Sequence, residues 1–101
     1  MAEKADETLL AEVKQALRIS SSAFDLEIQT LIAACKIDLR KAGVTAQDDS
    51  DPMIKRAIIL YAKANFGYDN PDADKFQKAY DLLAMSLALV SDYNGGGGGN
   101  G

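Results

Sequence analysis

The sequence predicts an all-α fold: a small four-helix bundle followed by a flexible, glycine-rich C-terminal tail. The 101-residue chain has the length of one domain, and its sixteen alanines and eleven leucines favour helix. Six of the eight glycines stand in the last seven residues, so two glycines and two prolines punctuate the rest. Helices are expected to end or begin at those four positions. We assign residues 1–93 to the helical domain and residues 94–101 to the tail.

The first helix is predicted over residues 7–17, where leucine and valine recur on one face. Asp6 or Thr8 is a candidate N-cap. A helix this short is marginal alone, so it is expected to dock on the others. Serines at 20–22 mark a polar break after it.

The second helix is predicted over residues 22–41. Ser22 followed three residues later by Asp25 fits a capping box, and Gly43 after a basic last turn fits a helix stop. Cys35 lies on the apolar stripe of this helix, and the chain has no histidine to activate a thiol. We therefore interpret Cys35 as a buried core residue rather than a nucleophile.

The third helix is predicted from Pro52 to about residue 66. Asp51 is the expected N-cap, Pro52 suits the first turn, and Gly67 is the expected stop. Apolar side chains occupy more than one face of this helix, which predicts that it is the most buried of the four. Its only charged side chains are basic: Lys55, Arg56 and Lys63.

The fourth helix is predicted from about residue 71 to residue 91. Asn70 and Pro71 repeat the start signal of the third helix. A seam with steps of four and three residues is expected to pack on the second and third helices. Its members are Phe76, Tyr80, Leu83, Leu87 and Val90.

Composition disfavours most enzymes, metal sites and nucleic-acid binders. The net charge is −4 and histidine is absent, so phosphate binding and the commonest general base and metal ligand are both disfavoured. A single cysteine excludes an internal disulfide. No fully apolar run exceeds six residues, the length of the run at 57–62, and the charged start lacks the apolar segment of a secretory signal. We expect no catalytic residue, metal, cofactor or membrane contact.

Two local patterns superficially suggest ligand sites. The acidic run 48–51 lacks the glycine and glutamate of a calcium loop, so loop solvation and helix capping explain it better. The glycines at 95–99 lack the lysine of a phosphate-binding loop.

Five aromatic residues surround the predicted turn between the third and fourth helices: Tyr61, Phe66, Tyr68, Phe76 and Tyr80. Packing that locks this hairpin is the favoured interpretation, and a binding patch is the alternative. Tyr93 is different because it adjoins the glycine tail, with little of its own domain expected nearby. A partner contact and a structural role are equally compatible with its position.

One stretch resembles a known family. Residues 51–83 are similar to the head–tail connector (adaptor) proteins of tailed bacteriophages, especially long-tailed phages of Gram-positive hosts. The most specific part is Lys63-Ala-Asn-Phe-Gly-Tyr-Asp-Asn-Pro-Asp72. The segments Val13-Lys-Gln-Ala-Leu-Arg-Ile-Ser20 and Asp25-Leu-Glu-Ile-Gln-Thr-Leu-Ile-Ala-Ala34 resemble the family's opening. The resemblance covers about residues 9–93.

The resemblance implies a structural virion protein at the head–tail interface, made in the host bacterial cytoplasm. It implies a homo-oligomeric ring of twelve under the portal protein, which extends the DNA channel and docks a stopper or tail-completion protein. Genomic DNA would pass without sequence-specific binding. The alternative function is a small cytosolic helical interaction module or regulator.

Terminal segments in such proteins commonly clasp the portal or a neighbouring subunit. The expected contact residues here are Asp92, Tyr93, Asn94, Gly95, Gly96 and Gly97. The glycine tail has no counterpart in the family pattern: it is a natural clasp, a flexible end facing the lumen, or an artificial addition. Residues from Tyr93 onward lack apolar periodicity, so we expect them to be mobile in the monomer and ordered by a partner.

Overall fold

A computed structural model of the chain describes residues 2–67 and 70–95. Their α-helices are α1 (Ala2–Leu17), α2 (Asp25–Lys41), α3 (Pro52–Asn65), α4 (Ala73–Ala88) and the short α5 (Ser91–Asn94). A single 3-10 turn, Ser22–Phe24, leads into α2. No strand occurs within these ranges, and four of the helices are long. The predicted all-α fold with four substantial helices is confirmed.

The central element is α3, which packs against α1, α2 and α4. Its Ile54, Ala57 and Ile58 are fully buried. The largest fully buried side chains of the whole core come from all four long helices and the loop after α2. They are Tyr80, Leu9, Ile28, Leu39, Ile54, Ile58, Val13, Val44 and Cys35. The apolar composition of α3 therefore correctly predicts the middle of the bundle.

Helix α1 begins at Ala2 rather than at residue 7. Asp6 and Thr8 lie inside the helix, so the prediction that one of them caps it is wrong. Residues 2–7 are charged or alanine, which favour helix without any apolar periodicity to reveal it. The helix ends at Arg18, whose φ of 64° is left-handed.

The predicted capping box at Ser22 is also wrong. Ser21 is the residue whose side chain caps, with Oγ accepting a 3.0 Å hydrogen bond from the N–H of Ala23. Helix α2 then begins at Asp25 without a side-chain cap. The Asp25 carboxylate instead lies 2.7 Å from Lys14 Nζ, an ion pair that joins α2 to α1. The Asp25 carboxylate, which the predicted capping box would use, thus forms an ion pair with Lys14 of another helix.

Both predicted glycine stops have left-handed backbone. The φ angle of Gly43 is +106° after α2, and that of Gly67 is +85° after α3. Behind Gly43, the N–H of Val44 donates to Leu39 O at 2.8 Å, and the Val44 side chain is fully buried. Left-handed backbone favours glycine at such positions, as the sequence analysis expects.

The two proline-marked starts differ. Asp51 caps α3 as predicted: its Oδ1 accepts from the N–H of Met53 at 2.8 Å, and Pro52 occupies the first turn. The prediction for α4 is displaced, because that helix begins at Ala73 after Asp72. Asn70 and Pro71 form a turn ahead of it, in which Asn70 Oδ1 accepts from the N–H of Asp72 at 3.0 Å.

Helix α4 ends at Ala88, short of the predicted end at residue 91, and Leu89 and Val90 separate it from α5. Val90 has extended backbone and is 41% exposed, so it leaves the predicted seam. Across the described parts of the chain, no helix combines the length and apolarity needed to span a bilayer.

Candidate partner-binding surface

The C-terminal segment, for which we predict a partner contact, is held by its own domain. The carbonyl of Tyr93 in α5 accepts hydrogen bonds from the N–H of Thr45 at 2.8 Å and of Ala46 at 3.0 Å. Its ring packs against the core and is partly buried. The expectation that Tyr93 has little of its own domain to contact is therefore wrong, whereas its contact with a partner stays a prediction.

The Tyr93 hydroxyl adds a second attachment. It donates to Asp51, with the oxygen 3.0 Å from Oδ2 and 3.2 Å from Oδ1. This hydrogen bond to a carboxylate raises the pKa of Tyr93, with a smaller contribution from burial. Because Asp51 also caps α3, one carboxylate both starts the central helix and holds the last one.

The neighbours of Tyr93 follow the same pattern in part. Asn94 Nδ2 donates to Ala88 O at 3.1 Å, which folds α5 back on the end of α4. Gly95 has a left-handed φ of +66°, and a Cβ there would collide with Thr45 Oγ1. Asp92 is exposed. The remaining contact candidates, Gly96 and Gly97, lie outside the described residues.

The acidic loop before α3 is organised by contacts within the chain. Asp48 Oδ1 accepts from the N–H and the hydroxyl of Ser50, at 2.9 and 2.8 Å, and these bonds lower the pKa of Asp48. Asp49 pairs with Lys36 of α2 at 2.7 Å. Over the ranges that the structure describes, no group of acidic or cysteine side chains is arranged to hold a metal ion. Capping and ion pairing are thus the observed roles of the loop acids.

The aromatic residues near the α3–α4 turn pack inside the domain. The rings of Tyr61 and Tyr80 meet edge to face, with centroids 5.2 Å apart. The hydroxyl of Tyr80 donates to Asp38 Oδ2 of α2 at 2.6 Å. Burial and this bond to a carboxylate raise the pKa of Tyr80. These contacts tie α2, α3 and α4 together.

Two further ring contacts involve the ends of helices. Phe24 and Phe66 pack edge to face at 5.6 Å, and Lys63 Nζ lies 5.4 Å from the centroid of the Phe76 ring. Tyr68 lies outside the described residues. The interpretation of these aromatic residues as hairpin packing agrees with the contacts of the other four.

Cys35 lies in the core, as the sequence predicts. Its side chain is fully buried, and its Sγ lies 3.9 Å from the carbonyl oxygen of Ala57. Burial raises the pKa of the thiol to about 12, only partly opposed by the hydrogen bond with Tyr80. A thiol with so high a pKa stays protonated at neutral pH and is a poor nucleophile.

Sequence analysis missed two exposed apolar strips. The α4 strip consists of Leu82, Met85 and Leu89, which are 68%, 64% and 84% exposed. The α2 strip consists of Leu26 and Ile37, which are 76% and 53% exposed. The signal is present in the sequence, because Leu82, Met85 and Leu89 recur at helical spacing beside the predicted seam of α4 without belonging to it. Clusters of exposed apolar side chains mark candidate interaction surfaces.

Comparison with known proteins gives one result. The sequence model of a family described as "Phage connector protein" matches residues 9–94, which is most of the chain and nearly the region of resemblance noted above. Neither curated proteins nor solved structures gave a match. Members of this family are structural proteins of the virion, and the match includes every helix described here from the middle of α1 onward. The chain belongs to the phage connector protein family and is a structural head–tail connector.

Proposed function

We propose that this protein is one subunit of a closed ring, of twelve copies, that sits beneath the portal protein at the head–tail interface. The ring extends the DNA channel and docks the stopper or tail-completion protein. The observation that carries the proposal is the family match over residues 9–94. The DNA passes without sequence-specific contacts, in keeping with a chain of net charge −4.

The apolar strips support a contact between copies. They stand on two different helices, so the α4 strip of one copy can pack on the α2 strip of the next. A contact between two different surfaces is heterologous, and such contacts close into rings when the rotation per subunit permits. A single self-complementary strip would instead favour a two-fold dimer.

Mass photometry of the purified protein with purified portal tests this proposal. We expect a large cyclic assembly with portal, and a loss of that assembly in Leu82→Glu, which places a charge in the α4 strip. Ala11→Glu is the matched control because Ala11 is exposed on α1, away from both strips. An absence of any large assembly with portal would favour the cytosolic regulator, and equal effects of both variants would remove the strip from the interface.

The predicted terminal contact needs a more selective truncation than removal of everything from residue 93. Such a truncation would delete the hydrogen bonds of Tyr93 to Thr45, Ala46 and Asp51, and so would damage the domain itself. Deletion of residues 96–101 leaves α5 intact. We propose that the exposed Asp92, together with Gly96 and Gly97, contacts the portal or a neighbouring subunit.

Attachment to portal-bearing capsids is the readout for this deletion. Weakened attachment of the 1–95 protein, with an unchanged melting temperature, would support the contact. Full attachment and normal tail joining would restrict the binding surface to the helical domain.

A further inference from the structure

A groove of about 460 Å³ lies along α3, beside Phe76 of α4. Six residues of α3, from Pro52 to Lys63, line it together with Phe76 of α4. Its lining is apolar at Ile59, Leu60 and Phe76 and basic at Lys55, Arg56 and Lys63. We call this the α3 groove.

The charge of the α3 groove is opposite to that of the chain. The protein carries a net charge of −4, yet no acidic side chain belongs to α3 or to the described lining of the groove. Lys55 is paired with Glu12 of α1 at 3.1 Å, and Lys63 lies over the Phe76 ring. Arg56 is exposed and makes no ion pair among the residues whose side chains the structure describes, 8–67 and 70–95. The groove thus offers two cations above an apolar floor. One is the Arg56 guanidinium, and the other is the Lys63 ammonium, which also contacts the Phe76 ring.

We propose that the α3 groove binds an acidic peptide segment of a partner protein, one that carries apolar side chains between its carboxylates. Its carboxylates pair with Arg56 and Lys63, since a guanidinium binds a carboxylate through two parallel hydrogen bonds. Its apolar side chains rest on Ile59, Leu60 and Phe76. The inference rests on the proposed function only in placing that partner among the virion proteins that adjoin the connector.

Two features favour a peptide over nucleic acid. Phosphate backbones are bound by charge and need no apolar floor, whereas peptide grooves combine apolar pockets with a few polar contacts. The net charge of −4 also disfavours a long polyanion such as DNA, whose charge extends well beyond the groove. The groove's size suits a few side chains rather than a folded domain.

Fluorescence anisotropy with synthetic probes tests the proposal on the full chain. The probe is a labelled peptide of about twelve residues that alternates glutamate with leucine and phenylalanine. Two control peptides replace every glutamate by glutamine or every apolar residue by serine. We expect saturable binding of the first peptide, weakening as salt rises, and at least tenfold weaker binding of both controls.

Arg56→Glu reverses the charge in the groove and is expected to weaken peptide binding at least tenfold. Arg40→Glu is the matched control, because Arg40 is exposed on α2 and the substitution changes the net charge equally. Circular dichroism checks that both variants fold. An equal loss in both variants would show that binding follows net charge and would overturn the proposal.

A double-stranded DNA oligomer of similar charge separates the other class of ligand. Binding of the DNA that Arg56→Glu abolishes, with no binding of the acidic peptide, would overturn the proposal in favour of a phosphate site. The capsid assay distinguishes failure of the proposed function. Peptide binding by a protein that never joins capsids would refute only the connector position, and attachment to capsids without peptide binding would refute only the groove.

Discussion

The starts of α3 and α4 are the same kind of dipeptide, Asp51-Pro52 and Asn70-Pro71, but they build different structures. At the first, the side chain caps the helix directly and the proline occupies its first turn. At the second, the side chain forms a turn, and the helix begins two residues after the proline, at Ala73. A cap residue followed by proline therefore predicts that a helix begins within a few residues, but it does not identify the first residue of that helix.

The side chains of Asn70 and Asp51 also differ in the second contact that each makes with another helix. Asn70 Nδ2 donates to the carbonyl of Lys63 at 2.6 Å, which binds the turn to the last part of α3. Asp51 has no amide to donate, and its carboxylate accepts instead from the Tyr93 hydroxyl in α5. Each side chain thus serves its local start and a second helix, Asn70 as a donor and Asp51 as an acceptor.

Removal of the Asp51 carboxylate is expected to have the largest effect. Asp51→Ala loses the cap on Met53 and the acceptor of Tyr93, and should lower the free energy of unfolding by about 2 kcal/mol. Urea denaturation measures this value. Asp48→Ala is the control, since the Asp48 side chain bonds to neighbouring Ser50 and its backbone bond to Asp51 survives the substitution. Similar losses in the two variants would mean that Asp51 is no more than a local loop residue.

Asn70→Ala is expected to have the next largest effect. It removes the bonds to Lys63 O and to the N–H of Asp72, at a cost of about 1.5 kcal/mol in the free energy of unfolding. Asn70→Asp keeps the acceptor and removes the donor, so urea denaturation of both variants separates the turn from the tie to α3. If Asn70→Asp matched the original protein, the bond to Lys63 would contribute nothing.

Local sequence rules predicted the elements well where the deciding partner is close in sequence. Gly43, Gly67 and the Asp51 cap depend on backbone within a few residues, and the structure has each where it was expected. The capping box predicted for Ser22 and Asp25 is not formed, because Asp25 pairs with Lys14, which lies on another helix. The fold therefore follows from periodicity and punctuation, but exact caps depend on tertiary ion pairs that no local pattern contains.

The candidate surface was harder to predict for a related reason. The sequence analysis expected Tyr93 to contact a partner protein and could not foresee its bond to Asp51, which is 42 residues away in sequence. The α3 groove is formed by one face of α3 and by Phe76 of α4. Lys55, Arg56 and Lys63 can therefore be recognised as groove residues only once the position of α4 is known. Exposure of Leu82 and Leu89 likewise depends on which side of α4 meets α3.

Substitution of Gly67 tests the segment that leads from α3 to the start of α4. The φ of +85° at Gly67 is left-handed, and no atom of the described residues would crowd a Cβ there, so we expect a substitution to act through backbone strain. Gly67→Val should lower the free energy of unfolding by about 1 kcal/mol, because a β-branched residue is poorly accommodated in that conformation. Thermal denaturation is the measurement, and Gly67→Asn, which tolerates left-handed backbone, should lose less. Equal stability of Gly67→Val and the original protein would show that the residue is free to adopt another conformation.

Tyr93→Phe is expected to have the smallest effect, because it removes only the distant contact of Asp51 and leaves the cap on Met53 in place. The difference in the free energy of unfolding between Tyr93→Phe and the original protein depends on pH, and this dependence is a sharper test than the size of the difference at one pH. The bond to Asp51 raises the pKa of Tyr93 in the folded protein, so the folded state holds the phenolic proton more tightly than the unfolded state does. The stability from this bond is therefore fully present below the unfolded pKa of about 10, and is lost as pH rises through the folded pKa.

Tyr61, Tyr80 and Cys35 also have raised pKa values, so both proteins lose stability in alkali. The difference between the original protein and Tyr93→Phe isolates the one hydroxyl. Urea denaturation at several pH values should show a constant difference from neutral pH to about pH 9, which then shrinks as the Tyr93 hydroxyl loses its proton. A difference that stayed constant at high pH would mean that Asp51 caps α3 without help from α5, and that the two helix starts differ only in their local geometry.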